Sequence, residues 1–162
     1  MSDQDGVIDC AWRHLTDVVQ AAYAQDAARF RKAAAANTKF PLQDQRAVGL
    51  YAYHALRYLS AVMVGRRPSS EDLDRLAQFA YPRFSSLGLR AELSHLTRTL
   101  KGVYNLVPVQ NRVPPGQFII LAPAALGALL RDPERQLPWL RRMVSQWCLS
   151  HRAEVTEMLE DG

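Results

Sequence analysis

The sequence predicts a mostly helical, single-domain fold, a bundle of five or six helices around one central apolar helix. Three observations predict it. Apolar residues recur at three- and four-residue steps through most of the chain, and Gly and Pro punctuate the boundaries between these runs. A capping-box signature, Ser69-Ser70-Glu71-Asp72, stands directly before one of the runs. The length of 162 residues is that of one domain, and 48% apolar with 22% charged residues argues against disorder.

The first periodic run predicts one long helix over 7–36. Ile8, Ala11, Trp12, Leu15, Val18, Val19, Ala22, Tyr23 and Phe30 share a face, and four alanines, 33–36, continue it. Asn37 and Pro41 supply a stop. The second helix, 43–64, is apolar around nearly its whole circumference, which makes it the expected centre of the domain. Gly65 and Pro68 end it. A third helix follows the capping box, with Leu73, Leu76, Ala77 and Ala80 as its buried stripe and Pro82 as its end or kink. A fourth is expected over 89–101, with Leu89, Leu93, Leu96 and Leu100 on one face.

Residues 103–121 resist a helical reading. Val103–Val109 and Gln117–Leu121 favour strands, with Pro114-Pro115-Gly116 between them, so the segment reads as a short β-hairpin or as an ordered loop. Pro123 then opens a short fifth helix to Leu130, Asp132-Pro133 breaks it, and a last helix is expected over 138–159.

Motifs that carry chemistry are missing from the chain. The four histidines, His14, His54, His95 and His151, lie on separate predicted helices without ligand spacing, and no H-E-x-x-H, nucleophile elbow or phosphate loop occurs. No metal and no cofactor is therefore expected, and the leading expectation is a non-enzymatic regulatory or adaptor-type binding protein. Cys10 and Cys148 read as reduced thiols, the first residues lack the order of a signal peptide, and the longest strongly apolar stretch, 118–130, is too short to span a bilayer. A cytoplasmic protein without a membrane span is the expectation.

Two constellations are candidate binding sites. Tyr51, His54 and Tyr58 fall at steps of three and four on the central helix, with Arg57 beside them. Such a face either lines an internal apolar pocket with convergent polar groups or fills the core. The second constellation is basic. Residues 51–150 carry thirteen bases against six acids, a balance of +7 within a chain of +4.

Helix, turn, helix and possible hairpin across 71–121 resembles the element order of a winged-helix DNA reader. That resemblance implies Arg90, Ser94, Arg98 and Lys101 on a groove-facing helix, with Arg112 near the wing tip. The connection over 84–88 is longer than a helix-turn-helix turn, and the same face also suits plain solvation. The alternative function is thus a DNA-binding regulator. Three tryptophans, Trp12, Trp139 and Trp147, either complete the core or form a protein interface, so a protein partner or a homodimer is the expected partner.

Overall fold

A computed structural model describes residues 3–160, with side chains from residue 6 onward. Residues 1, 2, 161 and 162 lie outside the described residues, and with them Asp161 of the acidic end. The fold is all-helical: α1 (Asp3–Tyr23), α2 (Ala27–Ala36), α3 (Leu42–Val64), α4 (Ser70–Ser85), α5 (Leu93–Gly102), α6 (Pro115–Leu129), α7 (Pro133–Ser150) and α8 (Arg152–Glu160). Short 3-10 turns over Asn37–Lys39 and Val109–Asn111 join the longer elements. Among the described residues no strand occurs, and no helix is long and apolar enough to cross a membrane.

The expected hairpin does not form. Residues 117–121 are helical, and 103–114 are turns and one 3-10 turn. The physical reason is Pro115, which occupies the first position of α6, where its fixed φ and missing N–H cost nothing. β-favouring Ile119 and Ile120 then follow the helix because its face packs on α1, α3, α4 and α5, and packing overrides propensity. Pro123 sits inside α6, eight residues past its start, rather than opening a helix.

Other boundaries moved for similarly local reasons. The run over 7–36 is broken because Gln25 adopts φ +56° and Asp26 caps α2, its side chain accepting from the Arg29 N–H at 3.1 Å. Pro82 lies in the last turn of α4 and does not end it. Residues 89–92 are not helical, and α5 begins only after Glu92, whose N–H donates to His95 Nδ1 at 3.0 Å. The expected last helix is two, separated at His151.

The core sits between α3 and α6. α3 packs on α1, α4, α6, α7 and α8, and residues 121–130, nearly the whole of α6 past its first turns, are buried without a gap. A helix apolar on every side must be enclosed on every side. α4 ties the bundle at one end: Arg83 donates to the Tyr23 carbonyl at 2.8 Å and the Leu130 carbonyl at 3.3 Å, placing a cation at the C-terminal ends of α1 and α6.

The capping box forms as expected. The Ser69 hydroxyl accepts from the Asp72 N–H at 3.1 Å, and Asp72 accepts from the Ser69 N–H at 2.9 Å and from Arg66. The Ser69 N–H, with Arg66 beside it, holds the Asp72 carboxyl below the usual carboxylate range. Ser69→Ala should cost about 1 kcal/mol in chemical denaturation. An unchanged midpoint would mean that α4 is held by packing alone.

Candidate functional site

The first half of α3 presents Leu42, Gln45, Arg46, Gly49, Leu50 and Tyr53 at steps of three and four, one continuous helix stripe. That stripe is the floor of a cleft of about 840 Å³. Its opposite walls are the last turn of α5 (Arg98, Thr99, Gly102), the segment with Arg112 and Val113, and the first turns of α6 (Pro115, Gly116, Phe118, Ile119). Met158 of α8 closes one side. The volume falls in the range of small-molecule sites, which are mostly apolar with a few placed polar groups.

Glycine hollows this cleft. Gly49, Gly102 and Gly116 each lie on its lining, and a Cβ added at any of them would meet no atom within 4 Å. In mid-helix, Gly49 is an unfavourable choice by roughly 0.5–1 kcal/mol relative to alanine. No packing contact requires it.

The charged residues of the lining are all arginines. Arg46 donates from Nη1 to the Leu159 carbonyl at 3.0 Å, anchoring the end of α8. Arg98 donates from Nε to the Ser94 carbonyl at 3.3 Å, and Arg112 from Nη2 to Asn105 Oδ1 at 2.9 Å. Among the described residues none of the three joins an ion pair, and no Asp, Glu, His, Cys or Lys lines the cleft. Its one hydroxyl of threonine, on Thr99, donates to the His95 carbonyl. The arrangement can bind and orient a ligand.

Tyr51, His54, Arg57 and Tyr58 stand elsewhere. Tyr51 and His54 face α7, and none of the four lines the cleft. The Tyr51 hydroxyl lies 3.1 Å from Ser145 Oγ, and its ring packs on Trp12 at 5.5 Å. His54 is 4% exposed and lies against the tilted ring of Trp147 at 3.8 Å, which in turn stacks on His151 at 4.4 Å. Its Nε2 is buried without a hydrogen-bond partner. Burial, together with the charges of Arg57 and His151, lowers the His54 imidazole to about 4. Arg57 lies over the Tyr104 ring at 5.6 Å, and the Tyr104 hydroxyl donates to the Arg57 carbonyl. Burial also pushes the Cys148 thiol up to about 11, away from nucleophilic use.

The basic candidates are divided. Arg90 is exposed on the segment before α5, and Ser94 is exposed in the first turn of that helix. Lys101 is only 18% exposed and pairs with Asp74 at 2.9 Å. Arg98 and Arg112 are brought together at the cleft, joined there by Arg46, which the sequence reading passed over. With no wing on which Arg112 could stand, these residues do not form one groove-facing row. Of the tryptophans, Trp12 is buried, while Trp139 and Trp147 pack partly buried against the core.

No protein-family model, curated protein or solved structure matches the chain. The geometry of the cleft is therefore what a functional reading rests on.

Proposed function

We propose that this chain is a cytoplasmic, non-enzymatic binding protein of regulatory or adaptor type, taking a small apolar ligand in the cleft between α3, α5 and α6. The observation that carries the reading is a surface cleft of about 840 Å³ with a mostly apolar lining that includes three glycines. A lining without Asp, Glu, His, Cys or Lys supports binding rather than turnover. The free thiols Cys10 and Cys148 suit a reducing compartment. Met158 gives the regulatory element: an occupied cleft touches α8, so the ligand bears on how that helix is held, and a protein partner would read the difference. No observation favours the DNA-binding alternative over this one.

The test is a fluorescence titration with N-phenyl-1-naphthylamine, a neutral apolar probe. Wild type should show saturable, one-to-one enhancement of emission. Gly49→Phe should weaken binding by at least about tenfold while remaining folded, because the new side chain enters empty space and phenylalanine is a better helix former than glycine. Gly49→Ala should raise stability by roughly 0.5–1 kcal/mol. Equal probe binding by wild type and Gly49→Phe would overturn the assignment of the cleft.

A further inference from the structure

We infer that the cleft selects an amphipathic acid, a single anionic group on an apolar body, with the anion held among Arg46, Arg98 and Arg112. The inference rests on the cleft reading above and names the ligand class for it. Three guanidinium groups from α3, α5 and the segment before α6 meet a lining that is otherwise mostly apolar. Their positions, 46, 98 and 112, are distant in sequence, so only the fold brings them to one place.

Each of the three is oriented by an oxygen of its neighbourhood, and among the described residues none of them joins an ion pair. Arg46 is fixed to the Leu159 carbonyl, Arg98 to the Ser94 carbonyl, and Arg112 to Asn105 Oδ1 and, at 3.5 Å, the Val107 carbonyl. These bonds use only part of a guanidinium's five donors. Among the described residues the three guanidinium groups at the cleft thus keep donors for an anion. Like charges around one cavity repel, and an entering anion reverses that penalty.

A fourth feature has the same sign. α6, fifteen residues long, begins at the cleft with Pro115 and Gly116, so the partial positive charge of its N-terminus and the Gly116 N–H lie at the same space, while the Gln117 and Phe118 N–H groups donate to the Pro114 carbonyl. Gly116, without a Cβ, lets a ligand approach that backbone closely. Guanidinium groups match the planar fork of a carboxylate. Leu42, Phe118, Ile119 and Met158 supply the surface for the hydrocarbon part, and Leu42 and Met158 remain 59% and 49% exposed with the cleft empty of protein. A strongly charged ligand such as a nucleotide would leave this apolar lining uncovered, whereas an amphipathic acid satisfies both parts.

The experiment displaces N-phenyl-1-naphthylamine with decanoate and with decanol, which share a chain and differ in charge. Wild type should be displaced by decanoate at concentrations about tenfold lower than by decanol, and the preference should shrink as salt rises. Arg98→Gln/Arg112→Gln should erase most of the preference while still binding the neutral probe. Both residues are exposed and bonded only locally, so this variant is expected to fold; adding Arg46→Gln should remove the remainder. Equal displacement by the two compounds in wild type, or a preference that survives all three substitutions, would overturn the inference while leaving the cleft reading intact. Failure of the neutral probe to bind wild type would remove both.

Discussion

Gly127→Ala is expected to destabilise the protein by roughly 2–4 kcal/mol, although alanine is the better helix former by about 1 kcal/mol. Gly127 lies in the buried part of α6, where that helix crosses α1. A Cβ at this position would sit 2.4 Å from Ala22 Cβ, 2.8 Å from the Tyr23 nitrogen and 3.0 Å from the Ala22 carbonyl carbon. No carbon tolerates such distances, and two of the three neighbours are backbone, so no rotamer change relieves them. The two helices must part. Parting costs the contacts of a close-packed interface on both sides, and α6 also carries Phe118 and Ile119 into the cleft.

The measurement is urea denaturation of Gly127→Ala beside Gly49→Ala. The same chemical change is expected to lower stability at one site and raise it at the other, since one glycine makes a helix crossing and the other opens a cavity. In an Ala22→Gly background the cost of Gly127→Ala should fall by at least about 1 kcal/mol, because the nearest atom has gone while the Tyr23 nitrogen remains. A Gly127→Ala protein as stable as wild type would mean that α1 and α6 do not approach as described.

Helical periodicity and punctuation were legible where a helix has one buried stripe and a cap. The capping box at Ser69, the left-handed Gly65 after α3 and the apolar circumference of α3 all stand where the sequence places them. What misled was competition between local signals. Pro114-Pro115-Gly116 reads equally as a turn or as a helix start, and isoleucines favour strands until a neighbouring helix face decides. Asp26 is a good N-cap, but alanines on either side hid the break it makes in the run over 7–36.

The cleft was partly written in the chain. Leu42, Gln45, Arg46, Gly49, Leu50 and Tyr53 form a regular stripe, yet on a helix apolar all round no stripe stands out. A glycine in the middle of that stripe was the available signal, because an enclosed helix has reason to keep glycine only where something approaches it or where space is kept. The arginines gave no such signal. Their meeting depends on the return of the chain through α5 and α6, and pairwise spacing in sequence does not contain it. The Tyr51–His54–Tyr58 spacing was real, but it met α7 rather than a cavity.

His54 yields the other large expected effect. Its imidazole is 4% exposed, met edge-on by Tyr53 and covered by the tilted ring of Trp147, and among the described residues its Nε2 has no hydrogen-bond partner. Protonation would place a charge in this site with no acid to receive it, beside Arg57 and His151, so the folded protein holds the ring neutral down to about pH 4. In the unfolded chain the same ring takes its proton near 6.5. Between those values the unfolded state binds more protons than the folded one, and stability therefore rises with pH. The contribution is present in full above about 6.5 and is lost as pH falls toward 4. At 1.36 kcal/mol per pH unit, the loss is on the order of 3 kcal/mol. His14, lowered chiefly by burial, adds to the slope in the same direction. His54→Leu keeps an apolar side chain of similar size and cannot titrate, so its stability should vary with pH only by what His14 and the carboxylates contribute. Denaturation midpoints of the two proteins, taken from pH 4 to 7.5, should converge toward neutrality and separate steadily below pH 6.5, with the variant the more stable at the acid end. Parallel curves would show that the folded protein admits a proton to His54 at no cost, and that Trp147 and α7 do not seal the site.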